Sequence, residues 1–277
     1  MRGKPLQFGF VLLCGVKLAF AASHPSQMLE NFSENGVTFT YDRSYFEAAK
    51  LFQLPRKVEV KDEMPINVGP PRFRIQLLHA PRSAWSPGRP RYFQPSYSMI
   101  YITPLTDMGV PDFQRAYPGL AENYRGLQRL LASHPTNLNR YYHKIYERTL
   151  EYKLPDEPFN NAGAALLARS RFLHLKWGTA IRFLTYYQQD KTGYGATNAQ
   201  LIYNFQGVTS GNDYYVSARF AVRHSALPDS IDDPRAKSDS TEQETRAEYE
   251  RTNSWNDETF FPKLTDLDQM MDSLRIK

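Results

Sequence analysis

The sequence predicts an α+β protein in which helices pack on a central antiparallel β-sheet. The segment Tyr214–Val222 alternates apolar and polar side chains with the period of two that is expected of a half-buried strand. Leu201–Gln206 repeats this alternation, and the connection Thr209–Asp213 is rich in the residues that form short hairpin loops. Upstream, two further apolar segments flank a second glycine-containing turn, Lys176–Gly178. Two consecutive hairpins indicate an antiparallel meander, whose predicted strands are Phe172–Leu175, Ala180–Tyr187, Leu201–Gln206 and Tyr214–Val222.

The amino-terminal half contributes further predicted strands and one predicted helix. Helical spacing is found at Phe46, at Ala49 or Lys50, and at Leu54, which predicts a helix over Arg43–Leu54 that ends before Pro55. The predicted strands of this half are Val37–Tyr41, Val58–Val60, Phe73–Leu78 and Met99–Thr103.

Two predicted helices should cover the faces of the sheet. Leu120–Leu131 carries an apolar stripe at helical spacing, and Phe260–Ile276 carries a second one, concentrated in Leu264–Leu274. Asn137–Tyr152 is a third predicted helix with several tyrosines, and Glu242–Arg251 is predicted as an exposed helix with charge pairs.

The amino terminus has the pattern of a secretory signal. Arg2 and Lys4 precede the apolar run Phe8–Leu13, and Ala19-Phe20-Ala21 is a small-x-small cleavage site. The apolar run is shorter than the roughly 20 residues that span a bilayer. We therefore predict a signal peptide over 1–21, a lead-in over 22–36, and one α+β domain over 37–276 with a charged region at about 229–256.

The single cysteine, Cys14, lies within the predicted signal, so the processed chain would have no disulfide and no thiol nucleophile. The alternative is that Cys14 is the lipidated residue of a lipoprotein. Leu13 argues against it, since such signals need a small residue before the cysteine. Membrane association is expected only if Cys14 is lipidated.

The formal charge of +5 does not indicate a nucleic-acid partner. Cleavage would remove Arg2, Lys4 and Lys17 but no acidic residue, which lowers the charge to +2. Non-specific affinity for nucleic acid needs clustered cations, which a nearly balanced exported protein does not provide.

The sequence carries no recognisable catalytic or cofactor motif. It lacks a GxSxG elbow, an SxxK pair, an HExxH helix and a glycine-rich phosphate loop, and its histidines have no ligand-like spacing. The acidic loop residues Asp229, Asp232 and Asp233 match no EF-hand. We therefore predict no catalytic residue, cofactor or metal, although acidic residues brought together by folding could still form a hydrolase site.

Two segments are predicted to form a contact surface. Tyr186, Tyr187 and Gln188 end a meander strand, and alternation sends the two tyrosines to opposite faces of the sheet. One tyrosine should then be available for contact unless helices cover both, in which case they serve packing alone. The loop Pro81–Pro95 interleaves cations with aromatic residues, which suits an anionic or sugar-like ligand or packing onto the sheet; its candidate residues are Arg82, Trp85, Arg89 and Arg91.

Several motifs resemble a group of uncharacterised exported bacterial proteins. They are RFLTYYQQ (Arg182–Gln189), LIYNFQGVTSGNDYYVSARFAV (Leu201–Val222), FTYD (Phe39–Asp42), LPDEPF (Leu154–Phe159) and HSALP (His224–Pro228). The group has a pattern closer to Asp-Asp-Gly where this chain has Ser210–Asp213. The resemblance implies export but no activity.

More loosely, the order of elements is similar to PsbP-like domains, in which a helix precedes an antiparallel meander and a final helix resembles the one ending at Ser273–Ile276. That similarity implies an α/β sandwich used as an exported accessory or binding module. We therefore expect a periplasmic or secreted, non-catalytic module that binds a protein or small ligand at the cell envelope. The alternative is an extracytoplasmic hydrolase acting on glycan or peptide.

Overall fold

The computed structural model describes residues 28–61, 64–80, 97–106, 120–135, 163–164, 166–188, 194–238 and 242–277. The longer strands are β1 (Leu29–Glu34), β2 (Val37–Asp42), β3 (Phe46–Leu54), β4 (Lys57–Lys61), β5 (Met64–Gly69), β6 (Arg72–His79), β7 (Tyr97–Pro104), β9 (Ala168–Leu175), β10 (Gly178–Thr185), β12 (Ile202–Thr209) and β13 (Tyr214–Ala221). Two-residue strands are β8 (Gly163–Ala164), β11 (Tyr187–Gln188), β14 (Arg223–His224), β15 (Phe260–Phe261) and β16 (Arg275–Ile276). The α-helices are α1 (Leu120–Ser133), α2 (Glu242–Ser254) and α3 (Leu264–Ser273).

A seven-stranded sheet forms the centre of the protein, in the order β3-β6-β7-β13-β12-β10-β9. Every neighbouring pair is antiparallel. This confirms the predicted α+β fold with a central antiparallel meander.

Both predicted meander hairpins form. β9 and β10 are joined at Lys176-Trp177, where Leu175 pairs with Gly178. A β-carbon on Gly178 would lie 2.1 Å from the backbone oxygen of Val208 on β12, so only glycine permits this close approach. In the hairpin between β12 and β13, Asn212 takes the left-handed backbone conformation with φ of 55°.

The predicted helix over Arg43–Leu54 is wrong, because β3 occupies this region. A register shift between Phe46 and Ala48 marks a β-bulge in the pairing of β3 with β6. The bulge places Phe46, Ala49 and Leu51 against the main core. An extra residue therefore turns a strand period of two into an apparent spacing of three, which imitates a helix.

α3 covers one face of the sheet, as predicted. Its apolar residues are buried in the main core together with Tyr203 and Phe205 of β12. The indole of Trp177 also donates a hydrogen bond of 2.7 Å to the backbone oxygen of Met271. The helix is shorter than the predicted Phe260–Ile276, because Phe260-Phe261 pairs with β14, Pro262 follows, and Arg275-Ile276 pairs with β2.

α1 covers part of the opposite face, also as predicted. Its buried residues form a second core with Ile181, Phe183, Val208 and Tyr215. Tyr124 meets Tyr215 edge to face, with ring centroids 4.7 Å apart. β13 is consequently buried on both faces, whereas its alternation had predicted a half-buried strand.

Other predicted elements have mixed outcomes. β1 and β2 join β16 in a separate three-stranded sheet, so part of the predicted lead-in is a strand. α2 extends the predicted helix at Glu242–Arg251 by one turn and carries the expected charge pair between Arg246 and Glu250, at 3.0 Å. The predicted helix over Asn137–Tyr152 lies outside the described residues. Within the described part of the chain, no helix combines the length and apolar character needed to cross a bilayer.

Candidate functional site

A row of polar side chains crosses the face of the sheet that α1 covers only in part. Register places Arg74 of β6 opposite Tyr101 of β7, Tyr101 opposite Ser217 of β13, and Ser217 opposite Gln206 of β12. Residues directly opposite each other on one face of an antiparallel sheet have Cβ atoms about 4.5–5.5 Å apart. Arg74, Tyr101, Ser217 and Gln206 are therefore adjacent in space although they come from distant parts of the chain.

A second row runs beside the first. Gln76 lies opposite Met99, Met99 opposite Arg219, and Arg219 opposite Asn204. We call the two rows together the polar face, which consists of Arg74, Gln76, Tyr101, Asn204, Gln206, Ser217 and Arg219.

The central residues of the polar face are almost completely buried. The exposed fraction is 6% for Tyr101, 1% for Asn204, 2% for Gln206 and 1% for Ser217. Buried polar atoms in folded proteins normally have at least one hydrogen-bond partner.

Several polar atoms of the face lack such a bond. The Oγ of Ser217, the Oε1 of Gln206 and the Nε of Arg74 are buried and have no hydrogen-bond partner. Each buried group left in this state costs about 1–3 kcal/mol. All three lie in one cross-strand row, so the cost is concentrated at one place on the sheet.

The remaining contacts hold the side chains of the polar face in fixed positions. Gln206 donates from Nε2 to Asn204 Oδ1 at 3.2 Å, and Asn204 donates from Nδ2 to the Tyr187 hydroxyl at 2.9 Å. The Tyr101 hydroxyl donates to the sulfur of Met99 at 3.1 Å. The two amides are thus oriented by hydrogen bonds within β12 and to Tyr187 of β11.

The arginines near this face stack on aromatic rings. The guanidinium carbon of Arg74 lies 4.7 Å from the ring centroid of Phe52, and that of Arg219 lies 4.6 Å from the ring of Tyr187. Arg72 stacks in the same way on Tyr101, at 4.6 Å. Stacking on an aromatic face stabilises a cation and fixes the plane of the guanidinium.

The charge of the polar face has one sign. Among the described positions of β6, β7, β12 and β13 that lie on this face, the charged residues are arginines, and none is an aspartate or glutamate. The face therefore presents cations, amides and hydroxyl groups.

The structure separates the two tyrosines of the predicted contact surface. Tyr186 is 3% exposed and lies in the main core, where its hydroxyl donates to Glu248 Oε2 at 3.1 Å. Tyr187 is half-buried and lies against the polar face through Asn204 and Arg219. The neighbouring Gln188 pairs with Gly163 in a two-stranded ladder.

The other predicted contact residues, Arg82, Trp85, Arg89 and Arg91, lie outside the described residues. The sequence did not predict Arg74 and Tyr101 as site residues. The alternation of their strands was visible in the sequence, but their position beside Ser217 depends on pairing between β7 and β13, which are more than 100 residues apart along the chain.

A second polar cluster surrounds Arg182, which is 1% exposed although it is charged. Its guanidinium donates to Asp257 Oδ2 at 2.5 Å and lies 3.5 Å from Asp268 Oδ1. Arg169 also donates to Asp257, and Tyr203 donates to Asp268 at 2.7 Å. Burial raises the pKa of Asp268 and the pKa of Tyr203.

The cluster around Arg182 is the closest approach to the converging carboxylates that a hydrolase would need. Both carboxylates, however, bind the same buried guanidinium, which joins β10 to α3 and to the turn before it. We read this cluster as a structural link between the sheet and the carboxyl-terminal segment.

A cavity of about 170 Å³ lies between the three-stranded sheet of β1, β2 and β16 and helix α3. Its lining includes Tyr41, Asp42, Tyr45 and Asp266. Asp42 accepts hydrogen bonds from the backbone of Ser44 and Met28, and Tyr45 donates to Asp266 at 2.7 Å. Burial, followed by this bond to Asp266, raises the pKa of Tyr45. Asp42, Tyr45 and Asp266 therefore each have a hydrogen-bond partner within the protein.

No protein-family model matches this sequence, and no curated protein matches it. Within the described ranges, no three histidine, cysteine, aspartate or glutamate side chains are grouped so that they could hold a metal ion.

Proposed function

We propose that the protein is a non-catalytic binding module and that the polar face is its ligand-binding surface. The observation that carries this proposal is the row of buried polar atoms without partners, formed by Arg74 Nε, Ser217 Oγ and Gln206 Oε1. A sheet that served packing alone would be more stable with apolar side chains at these positions. A ligand that supplies the missing hydrogen bonds would remove that cost when it binds.

The chemistry of the polar face favours binding over catalysis. Amides, hydroxyl groups and guanidinium ions hold a ligand through hydrogen bonds and do not change their protonation state near pH 7. The groups also project from adjacent strands of one hydrogen-bonded sheet, which sets their relative positions before a ligand binds. The hydrolase alternative would instead rely on Asp257 and Asp268, which Arg182 already engages.

We also propose that the protein acts outside the cytoplasm. The support is the basic start at Arg2 and Lys4, the apolar run Phe8–Leu13 and the site at Ala19–Ala21. Mass measurement of the protein recovered from the periplasm or medium tests this. Processing after Ala21 is expected, and an intact amino terminus in the cytoplasmic fraction would contradict it.

The binding proposal is tested with a panel of small molecules that includes sugars, amino acids, carboxylates and phosphates. Compounds that raise the melting temperature are then titrated calorimetrically against the wild type, Ser217→Ala and Gln206→Leu. We expect Ser217→Ala to weaken binding by about 1–2 kcal/mol, since it removes one hydrogen bond to the ligand. Its unfolding free energy should be unchanged or higher, because a buried hydroxyl without a partner is lost.

Thr252 provides a matched control. Its Oγ1 is also buried without a hydrogen-bond partner, but it lies on α2, away from the polar face. Thr252→Val should therefore alter stability as Ser217→Ala does and leave binding unchanged. Binding that survives both polar-face substitutions, or a panel that gives no stabilising compound, would overturn the proposal.

A further inference from the structure

We propose that the ligand of the polar face carries a small anionic group, a carboxylate or a phosphate, and that Arg74 and Arg219 bind it. This inference rests on the proposed binding function and adds the chemical class of the ligand. It depends on the placement of the two arginines, on their stacking and on the single sign of charge on the face.

Placement brings the two arginines to either side of one strand. β6 and β13 are the two neighbours of β7, and Arg74 lies opposite Tyr101 while Arg219 lies opposite Met99. Strand spacing and rise put their Cα atoms roughly 12 Å apart. Two extended arginine side chains can meet a common ligand over that distance, above β7 and beside Ser217.

Of the two arginines, Arg74 shows more of the features that are expected of an anion-binding residue. It is half-buried, and it forms neither a hydrogen bond nor an ion pair with any described residue, while its Nε is fully enclosed. Among the described residues, its guanidinium stacks on the ring of Phe52. A partly buried guanidinium without a hydrogen-bond or ion-pair partner destabilises the protein unless an anion binds to it.

Stacking prepares the guanidinium groups for an oxyanion. An aromatic ring occupies the flat face of Arg74 and of Arg219, at 4.7 and 4.6 Å. The N–H groups lie in the plane of the guanidinium and form the fork that fits the paired oxygens of a carboxylate or phosphate. The ring that stacks on Arg219 belongs to Tyr187, one of the two tyrosines predicted to form the contact surface.

The charges of the described polar-face residues argue against a cationic ligand. Within the described positions of the four strands, the polar face offers no carboxylate to neutralise a bound cation. A cation would also be repelled by the arginines in a setting where burial weakens screening. The enclosure of Ser217, Gln206 and Tyr101 favours a small molecule over a nucleic acid, which would contact many phosphates along an open surface.

The test titrates inorganic phosphate, pyrophosphate, succinate and citrate at constant ionic strength, with a neutral disaccharide as the uncharged probe. The proteins are the wild type, Arg74→Gln, Arg74→Lys, Arg219→Gln, Ser217→Ala and the control Arg246→Gln. Arg246 is exposed on α2 and pairs with Glu250, so its substitution removes the same charge from an element that is not part of the polar face. The expected result is an anion whose dissociation constant rises tenfold or more in Arg74→Gln and less in Arg74→Lys.

The outcomes separate the inference from the function on which it rests. Saturable binding that is lost in Arg74→Gln and Ser217→Ala but kept in Arg246→Gln supports the inference, and the stronger of the phosphate and carboxylate series identifies the group. If the disaccharide binds through Ser217 and no anion does, the binding function stands and the anionic class is overturned. If no probe or panel compound depends on Ser217, both are overturned. Should Arg219→Gln fail to fold by circular dichroism, Arg74→Gln decides alone.

Discussion

The guanidinium of Arg182 donates a hydrogen bond of 2.5 Å to Asp257 Oδ2 in a setting where the arginine side chain is 1% exposed. Asp257 also accepts hydrogen bonds from Arg169, so one carboxylate neutralises charge from two strands, β9 and β10. The segment that follows α2 is thereby fixed to the end of the sheet.

We expect Asp257→Asn to destabilise the protein by about 3–5 kcal/mol, because it leaves the charge of Arg182 buried with a weaker partner. Urea unfolding followed by circular dichroism measures this. Asp232→Asn is the control, since Asp232 is exposed and its substitution should change the unfolding free energy by less than about 0.5 kcal/mol. Equal effects of the two substitutions would show that the buried pair contributes nothing.

Acid should destabilise the protein through His79. Burial lowers the pKa of this imidazole to about 4, below its ordinary value of 6.5. Between about pH 6.5 and 4, His79 is protonated in the unfolded chain but stays neutral in the folded chain. The unfolding free energy therefore falls as the pH drops from about 6.5 to 4. The loss attributable to His79 reaches roughly 3 kcal/mol below pH 4.

The measurement compares the wild type with His79→Gln in urea unfolding at several pH values, and the difference between the two curves isolates this histidine from the other titrating groups. His79 Nε2 lies 3.0 Å from Ser98 Oγ, a contact that glutamine can replace. A difference that stays flat between pH 7 and 4 would contradict the assignment.

Gly178 should not tolerate a side chain. A β-carbon there would lie 2.1 Å from the backbone oxygen of Val208, and a backbone atom of a paired strand cannot move without disturbing the ladder. We expect Gly178→Ala to cost more than about 2 kcal/mol. Gly211→Ala is the matched comparison, because the atoms nearest to its added carbon belong to the side chain of Asp213, which can rotate away. Thermal unfolding of both variants checks the order.

The two neighbouring tyrosines should separate binding from stability. Tyr187→Ala is expected to weaken ligand binding by about 1 kcal/mol or more, since it removes the ring beneath Arg219. Tyr186→Phe should leave binding unchanged and lower the unfolding free energy by about 1–3 kcal/mol, because buried Glu248 loses a donor. Calorimetric titration and urea unfolding of both variants provide the two readouts, and a reversed pattern would contradict the assignment.

The meander could be predicted well from the sequence because it depends on alternation and turn residues that lie close together in the chain. Alternation identified the strands that became β12 and β13, and the glycine and asparagine residues marked the hairpins. The covering helices were likewise predictable from stripes such as Leu127, Leu130 and Leu131. Each of these features depends on residues close to one another in the chain.

The polar face was only half visible in the sequence. Asn204, Gln206, Ser217 and Arg219 could be placed on one side of their strands, but Arg74 comes from another part of the chain. Its position depends on the pairing of β7 with both β6 and β13, which local periodicity does not encode. Burial of these residues was equally unpredictable, since a strand with a polar side usually turns that side to water.

The bulge near Glu47 has a consequence for solubility. β3 is the last strand at its end of the seven-stranded order, and the strand carries exposed Glu47, Lys50 and Gln53. Unpaired strand edges invite other chains to add to the sheet, and natural proteins block this with charges and bulges. The bulge that gives β3 its apparent helical spacing, together with these exposed polar residues, is therefore a feature of the kind that hinders edge-to-edge aggregation.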